Sequence, residues 1–155
     1  TGALPEDGVI ARPLGKLTVV NCASPHYLTR FGYPQSPDDL TSHAIVRYTP
    51  HLGVHPLGFE VASVNGVQWF KSGGMLTVNS SENYLTAGLA GLGIIQIPRI
   101  AVREALRAGR LIEVLPGYRA EPLSLSLVYP QRRELSRRVN LFMQWLAGVM
   151  KEYLD

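Results

Sequence analysis

Residues 79–99, which read NSSENYLTAGLAGLGIIQIPR, constrain the fold more than any other part of the chain. They begin with Ser80 and Ser81, which can cap a helix, and continue with leucines at helical spacing. Glycines at 91 and 93 end this helix, and residues 94–97 form an apolar run that predicts a buried strand. Helix N-termini and the carboxyl ends of strands hold small ligands in open α/β sheets. The segment therefore predicts both a fold class and the place of a binding site.

Composition allows a globular fold and argues against several functions. The chain has 155 residues, of which 46% are hydrophobic, enough for one domain or two small lobes. A net charge of +3 without a basic stripe is too small a bias to indicate nucleic-acid binding. No apolar run approaches the roughly 20 residues that span a bilayer, and no signal peptide is visible. The opening TGALPEDG, without an initiator methionine, resembles the interior of a longer protein.

The chemistry-bearing residues favour a protein that is not an enzyme. Cys22 is the one cysteine, so it cannot form an internal disulfide, and this favours a reducing cytoplasm. There is no nucleophile elbow, no phosphate-binding lysine motif and no acid/base pair of carboxylates, and the glycines at 91 and 93 precede a strand rather than follow one. No metal-ligand spacing links the histidines, and no cofactor is predicted; the histidines are His26, His43, His51 and His55.

Strand and helix signals alternate along the chain. Ser24-Pro25 begins a short helix that Gly32 ends, and Asn65-Gly66 is a strong hairpin signal. The predicted helices are 25–31, 36–40 (one short turn), 80–92, 98–108 and a last helix from Ser136 nearly to the end. The predicted strands are 14–22, 44–48, 59–64, 67–70, 75–78, 94–97, 111–115 and 123–129, and 49–58 is predicted as a loop. This alternation predicts an α/β protein with a mostly parallel sheet.

Four segments resemble one protein family in the same order and spacing. They are residues 19–43 (VVNCASPHYLTRFGYPQSPDDLTSH), 87–98 (AGLAGLGIIQIP), 109–123 and 127–146 (LVYPQRRELSRRVNLFMQWL). Together they resemble the effector-binding domain of LysR-type transcriptional regulators over essentially the whole chain. The resemblance implies a fold similar to type 2 periplasmic binding proteins, in which two α/β lobes joined by two crossing strands enclose a ligand cleft.

The same resemblance divides the chain. Residues 1–22 correspond to part of lobe I, residues 23–126 to lobe II, and residues 127–155 to the return strand and C-terminal helix of lobe I. Residues 20–24 and 127–129 would be the hinge. The family's winged helix-turn-helix and about half of its first lobe have no counterpart here, so the chain resembles an N-terminally truncated fragment with an incomplete first lobe. We expect apolar surface to be exposed on the last helix and on residues 19–22, and this surface to associate or lobe I to rearrange.

The resemblance also implies a set of ligand-binding candidates. Asn79 and Ser80 would present hydroxyl and N–H groups to an effector, although plain helix capping uses the same atoms. Gln96 is the single polar residue of its strand and is either a ligand contact or a partner of neighbouring backbone. Arg47 either pairs with an anionic effector or faces solvent. The full set is Ala23, Ser24, Arg47, Tyr48, Asn79, Ser80, Ile95, Gln96, Ile97 and Tyr129.

The implied function is effector sensing in a cytoplasmic bacterial transcription factor. The effector would be a small, anionic molecule such as a carboxylate. The full-length protein would self-associate as a dimer or tetramer, bind DNA only through the helix-turn-helix missing here, and have no membrane partner. Two alternatives stay open: a periplasmic solute-binding protein of a transporter, and an enzyme on the same bilobal fold, such as a dehydratase.

Overall fold

The computed structural model describes residues 9–50, 58–130 and 136–154. Contacts divide the chain into two units, which we describe separately. Unit 1 contains the residues up to Thr18 and those from Pro122 onward, and unit 2 is Val19–Glu121. The lobe boundaries implied by the family resemblance, at 22/23 and 126/127, lie a few residues further along the chain.

The bounds of the helices and strands follow the chain order. The strands are β1 (Val9–Leu17), β2 (Val19–Ala23), β3 (Ala44–Tyr48), β4 (Phe59–Ser63), β5 (Gly66–Phe70), β6 (Gly73–Val78), β7 (Ile95–Pro98), β8 (Ile112–Glu113) and β9 (Leu123–Pro130). The helices are α1 (Pro25–Phe31), α2 (Ser81–Leu89), α3 (Arg99–Arg107) and α4 (Arg137–Met150), with short 3₁₀ helices at Pro37–Ser42 and Lys151–Tyr153.

Local capping signals placed several of these elements correctly. The Ser24 hydroxyl accepts a hydrogen bond from the Tyr27 N–H at the start of α1, and Gly32 ends the helix with a positive φ of 82°. A capping box between Ser36 and Asp39 begins the first 3₁₀ helix. The hairpin signal is confirmed by β4 and β5. Most of the loop predicted at 49–58 lies outside the described residues.

Unit 2 is built on strands that run in both directions. β2 lies between β7 and β8 and is antiparallel to both, whereas β3 and β6 are parallel. A parallel bridge from Ile45 to Ile94 connects the two groups, with the Val46 N–H donating to the Ile94 carbonyl at 3.0 Å. The order is therefore β6-β3-β7-β2-β8. The prediction of a mostly parallel sheet is wrong, because two of the four neighbouring pairs in this order are antiparallel, as are the separate pairs β1–β9 and β4–β5.

Helices cover both faces of this sheet. On one face Tyr84 and Ala87 of α2 and Val102 of α3 pack against Val20 and Ile97. On the other face Tyr27 and Leu28 of α1 pack with Ile45, Ile94 and the hairpin residue Phe59. Side chains of neighbouring strand residues point to opposite faces of the sheet. Because helices cover both faces, the apolar run at residues 94–97 is buried on each side.

Two sequence expectations about β2 are corrected by this arrangement. The single strand predicted at 14–22 is two strands, because β1 belongs to unit 1 and β2 to unit 2. The expected exposure of residues 19–22 is wrong, since all of Val19–Ala23 is buried between β7 and β8. Similarly, the strand predicted at 111–115 is shortened to β8, and Leu92 lies after α2 and is exposed rather than on its apolar face.

Unit 1 pairs two distant strands and carries the last helix. β1 and β9 form an antiparallel ladder from the Val9–Pro130 pair to the Leu17–Leu123 pair. In α4, Met143 is buried, whereas apolar side chains that include Phe142 and Trp145 are exposed and contact each other through their rings. The expected exposure of apolar surface on the last helix is therefore confirmed.

Protonation of the buried His43 is expected to destabilise the fold. Its Nδ1 lies 3.0 Å from the Tyr27 hydroxyl, which also accepts a hydrogen bond from the Ala44 N–H. Burial lowers the pKa of His43, and the nearby Asp39 carboxylate only partly offsets this effect. The folded state thus binds the proton less readily than the unfolded state. The contribution to stability is complete above the usual histidine pKa of about 6.5 and is lost as the pH falls below it.

Urea unfolding between about pH 7.5 and about pH 5.5 measures this effect. We expect His43→Gln to flatten the fall in unfolding free energy across this range. The matched control is His26→Gln, because His26 is exposed on the same α1 helix that packs Tyr27 against His43. Equal pH slopes in wild type and His43→Gln would contradict the assignment.

Candidate functional site

The strands β3, β6 and β7 run in the same direction, so their carboxyl ends lie along one edge of the unit 2 sheet. We call this the carboxyl edge and define it by Tyr48, Thr49, Asn79 and Ser80. The Thr49 N–H donates to the Val78 carbonyl at 2.9 Å, which continues the β3–β6 pairing to the last residue of β6. Because only Asn79 and Ser80 separate β6 from α2, the N-terminus of α2 lies directly at this edge.

An aromatic pair forms part of the carboxyl edge. Tyr48 is 41% exposed, and its ring centroid lies 5.7 Å from that of Tyr84 at an interplanar angle of 49°. Tyr84 is buried, which raises the pKa of its phenol, and its oxygen accepts a hydrogen bond from the Gln96 N–H at 2.8 Å. The pair therefore joins an exposed ring, which a ligand can contact, to a neutral and buried hydroxyl.

The N-terminus of α2 is already occupied by a carboxylate of its own. The Ser80 hydroxyl accepts from the Asn83 N–H and donates to Glu82 Oε2 at 2.6 Å. This hydrogen bond, together with one from the Glu82 N–H, lowers the pKa of Glu82. An anionic ligand at this helix end would consequently meet a negative charge that the helix dipole already stabilises.

Gln96 lies on β7, before the carboxyl end of that strand, and every polar atom of its side chain is hydrogen-bonded. Its Oε1 accepts from the Glu60 N–H at 2.9 Å, and its Nε2 donates to the Glu60 carbonyl at 2.8 Å and to Asn21 Oδ1 at 2.9 Å. The carboxamide therefore pairs with Glu60 as the backbone of a neighbouring strand would. Of the two roles open from the sequence, the structure displays bonding to neighbouring backbone.

Asn21 fixes the orientation of this carboxamide. The Asn21 Nδ2 donates to the carbonyls of Leu115 and Tyr118, at 3.2 and 2.9 Å, so its Oδ1 is the atom left to accept from Gln96. Asn21 is fully buried in the central strand. A carboxylate of Glu60 continues the network by accepting from the Glu121 N–H at 3.0 Å. We call Asn21, Gln96, Glu60 and their partners the amide network.

Arg47 is directed to the other end of β6. Its Nη2 donates to the Ser72 carbonyl at 2.8 Å, and a Cβ built on Gly74 would lie 2.6 Å from its Nε. Ser72 precedes β6, whereas Asn79 follows it, so the Arg47 guanidinium and the N-terminus of α2 are engaged at opposite ends of one strand. The structure thus does not bring Arg47 together with Asn79 and Ser80.

The remaining candidates are dispersed. Ala23 and Ser24 follow Cys22, which pairs with Ile95 at the beginning of β7, and so they lie at the edge opposite to the carboxyl edge. Both are buried, as is Ile95, and the Ser24 hydroxyl caps α1. Ile97 is also buried, but near the carboxyl edge. Tyr129 pairs with Ile10 in unit 1.

Cys22 has the environment of a structural thiol. It is fully buried in β2, and burial, reinforced by the negative charge of Glu113, raises its pKa to about 12. A thiol with so high a pKa carries almost no thiolate at neutral pH and reacts slowly with oxidants. Cys22 therefore serves as a small, buried hydrophobic residue of the core.

Among the residues described, no group of three or more His, Cys, Asp or Glu side chains is arranged to hold a metal ion. No described helix has the length and apolar character needed to cross a membrane.

Sequence reasoning missed Tyr84, Asn21 and Glu60. Asn21 carried a usable signal, because it is the one polar residue in the buried run of β2, just as Gln96 is in β7. Tyr84 and Glu60 carried no signal. Their importance depends on which distant residue the fold places beside them.

Comparison with known proteins identifies the family. The protein-family model of the LysR substrate binding domain matches residues 1–151 of this chain. The HTH-type transcriptional regulator YhjC of Escherichia coli K12 is 99% identical over 155 residues, which are 100% of this chain and 52% of that protein. An HTH-type transcriptional regulator of Haemophilus influenzae is 35% identical over 138 residues, 89% of this chain and 47% of that protein. The chain spans about half the length of these relatives.

Solved structures agree with this result. The regulatory domain of CrgA, a LysR-type regulator from Neisseria meningitidis, matches with a TM-score of 0.80 and 26% identity over 96% of this chain and 72% of that one. The regulatory domain of AphB from Vibrio vulnificus matches with a TM-score of 0.71 and 25% identity over 94% of this chain and 71% of that one.

These matches confirm the expected fold, and the matched relatives are regulators rather than enzymes. They give no support to the alternative of a periplasmic solute-binding protein. The chain belongs to the LysR substrate-binding domain family.

Proposed function

We propose that this chain binds a small-molecule effector at the carboxyl edge of unit 2 and thereby modulates transcription. The DNA contact would be made by a winged helix-turn-helix outside the 155 residues, in a cytoplasmic protein that acts as a dimer or tetramer. The proposal needs no catalysis and no cofactor. Family membership supports the regulatory role, and the relatives that support it are themselves named as transcriptional regulators.

One observation carries the position of the site. The exposed ring of Tyr48 contacts the buried ring of Tyr84 at the carboxyl edge. The same edge contains Asn79 and Ser80, which immediately precede α2. An aromatic surface next to hydroxyl, amide and backbone N–H donors suits a small molecule with one flat apolar part and one acceptor group. Ala23, Ser24 and Ile95 are left out of the proposed site because they are buried at the opposite edge.

We propose that the acceptor group of the effector is a carboxylate, which replaces the Glu82 carboxylate at the N-terminus of α2. Glu82 is exposed and is held there by Ser80 and its own N–H, so a short side-chain rotation frees both donors. A carboxylate effector then gains the favourable interaction with the helix N-terminus that Glu82 has in the unliganded chain.

Thermal unfolding of the chain with a panel of small aromatic carboxylates and their neutral amides tests this proposal. A carboxylate present at 100 times its Kd should stabilise the fold by about 2.7 kcal/mol, which raises the Tm by several degrees. Tyr48→Ala should weaken its binding about tenfold, equivalent to about 1.4 kcal/mol. Glu82→Gln should tighten binding of the carboxylate, but not of the amide, by about 0.3–1 kcal/mol because a competing charge is removed.

Matched variants separate these effects from general changes in stability. Tyr33→Ala removes another exposed tyrosine, and Glu104→Gln removes the charge of another exposed helical glutamate. Neither should alter the ligand-induced shift. If only the amides stabilise the chain, and Glu82→Gln does not change that stabilisation, the effector is neutral rather than a carboxylate. If Tyr48→Ala and Tyr33→Ala reduce the ligand-induced Tm shift equally, the proposed site is wrong.

A further inference from the structure

The amide network extends from the carboxyl edge to the segment where the chain leaves unit 2. The Tyr84 ring contacts the tilted ring of Tyr48, and the Tyr84 hydroxyl accepts from the Gln96 N–H. The Gln96 carboxamide binds the Glu60 backbone, and the Glu60 carboxylate accepts from the Glu121 N–H. Glu121 is the last residue of unit 2. Every step of this series is a hydrogen bond or a ring contact between named atoms, so the edge and the exit of the unit share one continuous set of contacts.

The Gln96 carboxamide, at the centre of the network, has a single arrangement that satisfies its polar atoms. The Gln96 carboxamide cannot rotate by half a turn, because its Nε2 would then face the Glu60 N–H and its Oε1 would face the Glu60 carbonyl and Asn21 Oδ1. Since Glu60 has both its N–H and its carbonyl bound to this one carboxamide, it must follow a displacement of Gln96. Buried polar groups that lose their partners cost about 1–3 kcal/mol each, so Gln96 and the Glu60 backbone are expected to move together.

The exit segment depends on the same groups. Besides the Glu60–Glu121 bond, Asn21 holds the Leu115 and Tyr118 carbonyls, and the Ala62 N–H donates to the Arg119 carbonyl at 2.8 Å. Asn21 and Ala62 lie on β2 and β4, and Asn21 is itself bound by Gln96. Residues 115–121 are therefore held partly by groups that contact Gln96 directly or lie on the strand that it binds, and partly by the ion pair of Arg119 with Glu113 and the burial of Leu115 and Ala120.

We propose that Tyr84, Gln96 and Glu60 form a relay that couples occupation of the carboxyl edge to the position of Glu121 at the exit of unit 2. This inference rests on the proposed function, since it gives effector binding a route to the rest of the protein. A ligand on the Tyr48 ring that alters the placement of Tyr84 changes the Tyr84–Gln96 hydrogen bond, and the network shifts the population of the exit segment between held and released arrangements.

Amide hydrogen exchange of the whole chain without any ligand tests the relay. The readout is the exchange rate of the Glu121 N–H divided by that of the Val46 N–H, which is bound to the Ile94 carbonyl in the core. Global destabilisation raises both rates together, so the ratio reports local release. Tyr84→Phe removes only the hydroxyl that binds Gln96, and we expect it to raise the ratio by about fivefold or more.

Two further variants make the outcome decisive. Tyr27→Phe also removes a buried tyrosine hydroxyl, on the opposite face of the sheet, and should leave the ratio unchanged. Glu60→Ala should raise the ratio by itself, and adding Tyr84→Phe to Glu60→Ala should raise it no further, because the route is already interrupted. A ratio in Tyr84→Phe equal to that in Tyr27→Phe, or additive effects of Tyr84→Phe and Glu60→Ala, would overturn the relay.

This experiment is independent of effector binding. A negative exchange result with a positive ligand-induced Tm shift would reject the relay and keep the effector site. The reverse result would keep the mechanical coupling and reject the site at the carboxyl edge.

Discussion

Gly93→Ala should cost unit 2 about 3 kcal/mol or more, a large part of the 5–15 kcal/mol by which typical domains are stable. A Cβ at Gly93 would lie 2.6 Å from the Ala44 carbonyl oxygen and 3.0 Å from its carbon. Both atoms belong to the backbone of β3, where the Ile94 N–H donates to the same oxygen at 2.9 Å. No side chain can rotate away to relieve this overlap. The methyl group can be accommodated only by separating β3 from β7.

Denaturant unfolding followed by circular dichroism measures the loss. Gly109→Ala is the control, because Gly109 has a φ of +66° but no atom within 4 Å of the added Cβ. Its cost is restricted to backbone strain of about 1–2 kcal/mol. If Gly93→Ala is no less stable than Gly109→Ala, the close approach of the two strands is not as described.

Asn21→Asp should also be severely destabilising, by about 3 kcal/mol or more at neutral pH. The substitution keeps the size of the side chain but replaces two N–H donors with an oxygen. That oxygen would face the carbonyls of Leu115 and Tyr118 in a fully buried position. Among the described residues, none of the groups that hydrogen-bond Asn21 is a cation. Protonation of the new carboxyl restores one donor and removes the charge, so the variant should regain part of its stability as the pH is lowered.

Asn65→Asp provides the matched comparison. It makes the same chemical change at an exposed position of the β4–β5 hairpin, where Asp-Gly is as favourable as Asn-Gly. Unfolding free energies of both variants at about pH 7 and about pH 5 complete the experiment. The role assigned to Asn21 requires that the unfolding free energies of the two variants differ greatly at about pH 7 and less at about pH 5. Similar unfolding free energies of the two variants at both pH values would argue against this role.

The elements that the sequence predicted well are those whose cause is local. Ser24 and Gly32 bound α1 because capping involves atoms within one turn of the helix. Asn65-Gly66 indicated its hairpin because a turn is a local structure. The two turn residues are Val64 and Asn65, however, and Gly66, with a φ of +105°, already pairs with Ser63. Likewise, Ser80 was recognised as a cap, and the α2 helix begins directly after it.

What could not be predicted depends on pairing between distant segments. Sequence placed Ser24 and Asn79 in one site, yet the antiparallel pairing of β2 with β7 puts them at opposite edges of the sheet. The direction of a strand has no local signature, and a mostly parallel sheet was the wrong expectation for the same reason. Gln96 illustrates the limit for sites: its polarity within an apolar strand was visible, but its partners Asn21 and Glu60 lie 75 and 36 positions away.

The position of β2 in the middle of its sheet also bears on how the chain is made. The central strand of unit 2 is the first to be synthesised, but β7 and β8, which cover it, follow only after most of the unit has left the ribosome. Unit 1 is delayed further, because β1 must wait for β9. Folding therefore depends on the closure of long loops, which is slow, and the apolar β2 segment stays uncovered during elongation.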